Sequence, residues 1–463
     1  MAHPLQPGRL ALGTATASFQ IEGSATADGR GPSIWDTFCE VPGAVRDGSD
    51  GTRACDSYLR WEEDVDLVAG LNVEWYRFSL AWPRLMPEGT GRLEPRGLAY
   101  YDRLVDTLLA RGIRPTATLY HWDLPQPLED AGGWPERATA EAFAAYGAAV
   151  HARLGDRVEL WASHNEPWCA AYLGYAAGVH APGRREGGAA HRAAHHLMLG
   201  HGLLRQAIGD VEGLGIVCNL APVWPETPEA APLADRLDAV RNRVWLDPLV
   251  DGAYDDVLLD VAPELADPTV VRDGDLALIH GSADWLGINY YTPIRPALGT
   301  GGSEHPEGAA YPGVGDLDLV VRDPRTDIGW EIAAEGLEEL LVQVHRRTGL
   351  PLVVTENGAA MADRERDAAG VVDDQDRIAY LRDHLAATDA AIASGADVRG
   401  YFVWTLLDNF EWAEGYTKTF GLVHVDRDHD DLPRVPKASY HWVADEAVRR
   451  GSSFRGVAGA DGA

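Results

Sequence analysis

The chain has 463 residues, with 40 Lys plus Arg against 71 Asp plus Glu, a formal net charge of −31. That balance argues against nucleic acid as the main partner and against docking on an anionic membrane surface, because both need clustered cations. A hydrophobic fraction of 46% and a charged fraction of 24% are ordinary for a globular protein.

Only Lys418 and Lys437 are lysines, and neither follows glycine, so there is no Walker-type phosphate loop. No apolar run approaches the roughly 18 residues of a membrane span. Met1 to Leu10 carries Pro4 and Pro7 and no apolar h-region, so no secretory signal is expected. Cys39, Cys55, Cys169 and Cys218 are scattered without a C-x-x-C, which fits reduced thiols in a cytoplasmic protein better than a disulfide or metal framework. The 15 Trp against 4 Met point first to core, and second to a surface for carbohydrate.

Along the chain, short apolar runs with β propensity alternate with longer Ala/Leu-rich stretches of helical period. The runs are Leu10–Ala17, Val73–Leu80, Thr116–Tyr120, Val158–Ser163, Gly215–Leu220, Trp285–Tyr291, Leu352–Thr355 and Gly400–Leu406, eight in all. Helical stretches between them include Ala99–Arg111, Ala138–Leu154 and Ala189–Ile208. Repeated strand–helix units argue for a parallel sheet with crossover helices, and eight of them suit a closed barrel with insertions. An open doubly wound sheet is the alternative, but its glycine fingerprint is missing: Gly299-Thr300-Gly301-Gly302-Ser303-Glu304 lacks the third glycine and follows no strand. Residues 295–327 and 361–375 read as long surface loops. The Gly/Ser/Ala-rich end from Gly451 reads as a frayed tail. We expect one domain over 1–448 and a flexible tail over 449–463.

Seven of the eight runs end in polar or aromatic residues: Ser18-Phe19-Gln20, Arg77-Phe78-Ser79, His121-Trp122-Asp123, His164-Asn165-Glu166, Asn289-Tyr290-Tyr291, Glu356-Asn357, and Trp404 with Asp408-Asn409. In a parallel barrel all of these meet on one rim, at the C-terminal ends of the strands. Glu166 and Glu356 each follow an apolar run directly, on the fourth and seventh runs, so they can face each other across the mouth. Glycoside hydrolysis needs such a pair. One carboxyl gives a proton to the leaving oxygen, and the other attacks or activates water. Crowding drives their pKa values apart, which separates acid from base.

The strings Thr16-Ala17-Ser18-Phe19-Gln20-Ile21-Glu22-Gly23, Tyr76-Arg77-Phe78-Ser79, His164-Asn165-Glu166-Pro167, Asn289-Tyr290-Tyr291-Thr292, Thr355-Glu356-Asn357-Gly358 and Leu407-Asp408-Asn409-Phe410-Glu411-Trp412 together resemble glycoside hydrolase family 1, the β-glucosidase family. The resemblance runs from about residue 10 to 448. It implies an α/β fold, a (β/α)8 TIM barrel with its active site at the C-terminal rim, and a retaining double displacement on a small-molecule β-glycoside. The expected substrate carries terminal β-linked glucose, with galactose or fucose as secondary sugars, and cellulose breakdown is the expected setting. By motif match Glu356 would be the nucleophile and Glu166 the acid and then the base.

The resemblance also implies a sugar site. Gln20, His121, Asn165 and Glu411 would hold hydroxyls in the −1 subsite, with Asn165 on the 2-hydroxyl. Trp404 would be the platform under the ring, and Trp412 would bond a hydroxyl through its indole N–H. Arg77 would lie beside Glu356, Tyr291 would donate to the same carboxylate, and Asn289 would line the site. Trp330 and Trp168 would flank the aglycone. Asp408 and Asn409 read as turn caps outside the site. Members that act on phospho-sugars carry a small hydroxyl residue where Glu411 stands, so 6-phospho-glycosides are not expected. No cofactor is implied, and a homo-oligomer is left open.

His191-Arg192-Ala193-Ala194-His195 has zinc-helix spacing, but Arg192 stands where the zinc-protease motif has Glu. With His196 and His201 these residues read as a solvated or partly buried helix face, and no metal is expected. No G-x-S-x-G elbow is present, so serine-hydrolase chemistry lacks its turn.

Overall fold

A computed structural model describes residues 6–299, 309–363, 366 and 371–452. Its frame is eight strands: β1 Ala11–Ala15, β2 Trp75–Ser79, β3 Arg114–Tyr120, β4 Leu160–Asn165, β5 Leu214–Cys218, β6 Trp285–Asn289, β7 Leu352–Asn357 and β8 Val398–Trp404. Each pairs in parallel with the next, and β8 returns to β1, with Ala11 opposite Gly400 and Ala15 opposite Trp404, to close a barrel. Every expected run therefore became a strand. These segments are buried almost throughout, which is why they read as unbroken apolar runs and not as alternating ones.

Large and small residues interlock inside the barrel. Trp75, Trp285, Phe402 and Trp404 cluster with Ala11, Ala15 and Ala162. Gly215 is small because a Cβ there would lie 2.4 Å from the Trp285 ring. The strands are joined through α1 Ser57–Gly70, α2 Pro95–Ala110, α3 Arg137–Leu154, α4 Gly187–Ile208, α5 Ala231–Asp238 and the short helices after it, α6 Ala334–Thr348 and α7 Gln375–Ala393. α8 Ala438–Arg449 follows β8. α2 illustrates the pattern. Pro95 opens it, Leu98, Tyr101, Leu104, Val105 and Leu108 face the core at three- and four-residue steps, and its other face is solvated.

The structure corrects several expectations. Residues 295–327 are not simply a loop: Arg295–Leu298 pairs antiparallel with Leu317–Val320, while 300–308 lie outside the described residues. In 361–375, Arg366 bridges Val372, and 364–365 and 367–370 lie outside the described residues. Of the expected tail, α8 takes the first residue, and 453–463 lie outside the described residues. His191, His195, His196 and His201 are buried, not solvated, because α4 is enclosed by its neighbours. His195 contacts Tyr254 and Asp275, His196 contacts the Trp134 carbonyl, and His201 contacts Ser163. Among the described residues no helix is long and apolar enough to cross a membrane.

A buried ion network ties the last segments together. Lys437 donates to Asp363 at 2.6 Å and to Asp408 at 2.8 Å, and Arg377 pairs with Asp363 and Asp374. Asp408 also accepts from the Gly421 amide at 2.9 Å, consistent with its reading as a cap.

Candidate active site

The C-terminal rim encloses a cavity of about 360 Å³. Ten of the thirteen expected site residues line it: His121, Glu166, Trp168, Asn289, Tyr291, Trp330, Glu356, Trp404, Glu411 and Trp412. Gln20, Arg77 and Asn165 are buried beside it and hydrogen-bond to its lining residues Glu411, Glu356, and His121 with Asn289, respectively.

Glu356 is the penultimate residue of β7, which ends at Asn357 just ahead of Gly358. Glycine is required next, because a Cβ at Gly358 would lie 1.8 Å from the Trp404 carbonyl oxygen. The Glu356 carboxylate accepts from Arg77 Nη1 at 2.7 Å and from the Tyr291 hydroxyl at 2.7 Å. Arg77 is itself aimed by Thr118 Oγ1 at 3.1 Å and by the Asn165 amide oxygen at 2.6 Å.

Glu166 follows β4 with φ 46°, in the left-handed region. Such backbone costs a β-carbon-bearing residue on the order of 1–3 kcal/mol, and surrounding contacts must hold it. The Glu166 amide donates to the Val217 carbonyl at 2.8 Å. Its carboxyl accepts from Asn289 Nδ2 at 2.7 Å and from the Cys169 thiol at 3.1 Å. The Cys169 sulfur in turn accepts from Asn219 Nδ2 at 3.2 Å. Asn289 Nδ2 also reaches Asn165 Oδ1 at 3.1 Å, and Thr355 Oγ1 donates to Asn289 Oδ1 at 2.7 Å. The same Asn289 amide stabilises the Glu356 charge, so one side chain serves both carboxyls and sets them around one centre.

The electrostatics are asymmetric. Burial pushes Glu166 up to about 7, with the Glu356 charge adding to it. Only an amide, a thiol and the more remote Arg241 oppose that rise. Burial raises Glu356 as well, but Arg77, Tyr291 and Asn289 all favour its charged form. Burial, then the charges of Glu356 and Glu166, push Glu411 up to about 8. The cavity therefore stabilises the charge better on Glu356 than on Glu166, and the proton better on Glu166.

The polar wall is oriented for a neutral, hydroxyl-rich ligand. Burial and the Arg77 charge hold His121 neutral, well below the usual histidine range. Its Nε2 meets Asn165 Nδ2 at 3.0 Å and accepts there, which leaves the ring proton on Nδ1. Among the described residues that Nδ1 and the Oε1 of Gln20 are buried without a partner. Gln20 Nε2 is already committed to the Phe410 carbonyl at 2.8 Å and to Asn409 Oδ1 at 3.2 Å. The His121 ring lies near-parallel to Trp404 at 5.8 Å and to Trp412 at 5.9 Å. Trp330 packs on Tyr291 at 5.2 Å, and Trp168 on Tyr311 at 5.3 Å.

Sequence reasoning missed Cys169, Arg241 and the supporting role of Asn409. Cys169 carried a signal, since it follows Glu166 by three residues, one helical turn. Arg241 carried none, because its segment joins the rim only through the fold.

The whole-chain comparisons agree with this geometry. The family model for glycosyl hydrolase family 1 matches residues 4–451. A β-glucosidase of Agrobacterium sp. (strain ATCC 21400) is 46% identical over 445 residues, covering 95% of this chain and 94% of that protein. A bifunctional β-D-glucosidase/β-D-fucosidase of Bifidobacterium breve is 44% identical over 466 residues, covering 96% of this chain and 99% of that protein. A solved β-glucosidase from Thermotoga maritima in complex with deoxynojirimycin superposes with a TM-score of 0.88 at 39% identity, covering 96% of this chain and 99% of that one. With a closed eight-stranded barrel, paired glutamates at its rim and this match along its length, the chain belongs to glycosyl hydrolase family 1.

Proposed function

We propose that this glycoside hydrolase is a retaining β-glucosidase in which Glu356 is the nucleophile and Glu166 the acid and then the base. One observation carries the assignment: Glu356 alone of the two has a bonded cation, at 2.7 Å, whereas Glu166 is kept protonated by burial up to about 7. In the first step a Glu356 oxygen attacks the anomeric carbon while Glu166 gives its proton to the departing glycosidic oxygen. The sugar is then an ester of Glu356. Glu166, now ionised, takes a proton from water entering where the aglycone left, and that water displaces Glu356 on the original face. His121 Nδ1–H, Gln20 Oε1, Asn165 and Glu411 bind hydroxyls, Trp404 supports the ring, and Trp412 donates its indole N–H. Fucosides and galactosides are secondary substrates, and the glycosides cleaved are cello-oligosaccharides or aryl glycosides. One domain over 1–448 carries this activity, supported by the family match over 4–451. Four free cysteines support a reducing, cytoplasmic location.

The test uses p-nitrophenyl β-glucoside and a 2-deoxy-2-fluoro-β-glucoside with a good leaving group. Release of p-nitrophenol with a chelator present, and a stable sugar adduct on the Glu356 peptide by mass spectrometry, are expected. An adduct on Glu166 would reverse the roles. No release at all would favour a non-catalytic sugar-binding barrel, and loss of activity on chelation a metal-dependent one.

The pH profile of kcat/KM follows with its signs. Glu166 must hold its proton, so activity falls as pH rises through about 7. Glu356 must be ionised, so activity also falls on the acid side. Cys169→Ala removes a donor that holds Glu166 down, and the basic limb should move up. A thiol bond of about 0.5 kcal/mol corresponds to about 0.4 of a pH unit. A limb that stays put would remove Cys169 from the machinery.

Glu411→Ser should raise the rate on 6-phospho-β-glucosides relative to the unphosphorylated sugar by about tenfold or more, since it removes a bulky carboxyl from the hydroxyl wall that would repel phosphate wherever it ionises, above about pH 8. An unchanged ratio would show that Glu411 does not exclude phosphate.

A further inference from the structure

Arg241 lies in the helical turn Ala239–Arg243 and reaches the cavity beside Glu166. Its guanidinium carbon stands 4.0 Å from the Trp168 ring centroid. Among the described residues no hydrogen bond or ion pair engages that guanidinium, and its Nε is buried without a partner. Other arginines in the core each have a carboxylate partner: Arg77 has Glu356, Arg84 has Glu22 and Arg434 has Asp64. In a chain with 71 acidic residues, a cation left unpaired on a cavity wall is positioned for something the protein itself does not supply.

The place of Arg241 says what that is. Glu166 must touch the leaving oxygen, and Trp168, two residues further on, flanks what lies beyond it. The sugar end of the cavity belongs to Glu411, Trp404 and Trp412. Arg241 therefore faces the aglycone. With its carbon over the Trp168 ring, the guanidinium keeps N–H donors that no group among the described residues engages, in the fork that suits a carboxylate. Trp168 and Tyr311 supply apolar walls for a flat ring. We propose that this site is built for β-glucosides whose aromatic aglycone bears a carboxylate, which pairs with Arg241 while the ring packs on Trp168 and Tyr311. The net charge of −31 would otherwise repel such a substrate, so the local cation is what admits it. The inference rests on Glu166 being the acid.

The experiment compares kcat/KM for the ortho-, meta- and para-carboxyphenyl β-D-glucosides with that for the matching carbamoylphenyl β-D-glucosides. Each ratio is measured in the wild-type protein, Arg241→Gln and Arg241→Lys. The ratio cancels any effect of the substitution on Glu166, because both substrates draw on the same proton. For at least one isomer it should fall about tenfold or more in Arg241→Gln, be partly kept in Arg241→Lys, and decline in the wild-type protein as NaCl rises from about 20 to about 500 mM. A ratio that moves less than twofold for every isomer overturns the inference. If the variants do not fold, an unchanged wild-type ratio across that salt range overturns it instead. Turnover of the amides without a carboxylate preference removes this inference alone, whereas no turnover of any aryl glucoside removes the assignment of Glu166 and Glu356 with it.

Discussion

Glu356→Ala should lower kcat on p-nitrophenyl β-glucoside by about 10⁴-fold or more, and azide should restore turnover with α-glucosyl azide as product. The size follows from the role, since no group beside the Glu356 position can take over the attack. Its neighbours are the Arg77 cation, the Tyr291 hydroxyl and an amide, none of which is a comparable nucleophile. The Arg77 guanidinium would remain beside the emptied position and attract a small anion there. Azide entering at that point attacks from the nucleophile's face and, with no second displacement, leaves the inverted product. A β-azide would mean that Glu356 is the acid, and chromatography or NMR of the product separates the two outcomes.

Glu166→Ala should divide substrates by leaving group. With 2,4-dinitrophenyl β-glucoside the first step needs no proton and should be little affected, while an alkyl β-glucoside should lose about 10²–10⁴-fold, the usual worth of general acid catalysis. The basic limb near pH 7 should vanish with it, because burial of that one carboxyl creates the limb. Equal losses on good and poor leaving groups, or a retained limb, would contradict the acid role. Both readouts separate chemistry from folding, which matters at a residue whose φ is 46°.

The frame of the protein was legible because parallel barrel strands are buried on both sides and so appear as continuous apolar runs, as in Leu352–Asn357. The rim was legible for a related reason: polar residues directly after such runs have no packing purpose. Three things were not legible. The motif match implied an order for the two glutamates, but which of them has the raised pKa depends on which Arg77 approaches, and that pairing joins β2 to β7 across 279 residues. The pair formed by Arg295–Leu298 and Leu317–Val320 is hidden by intervening Gly, Pro and acidic residues that give a turn-rich composition. The histidines of α4 have the spacing of an exposed metal face, and only the enclosure of that helix by its neighbours shows that each is occupied with a local partner.

The closure of β8 onto β1 has a biosynthetic consequence. Gln20 and Glu411 share a contact at 3.5 Å although 391 residues separate them, so all eight strands must be synthesised before the two ends of this wall can meet. A chain that stalls before its eighth strand has Glu166 and Glu356 but lacks Trp404 and Glu411. A nascent chain arrested there should therefore be idle, with no risk of a half-built enzyme cutting sugars indiscriminately while still attached to its tRNA.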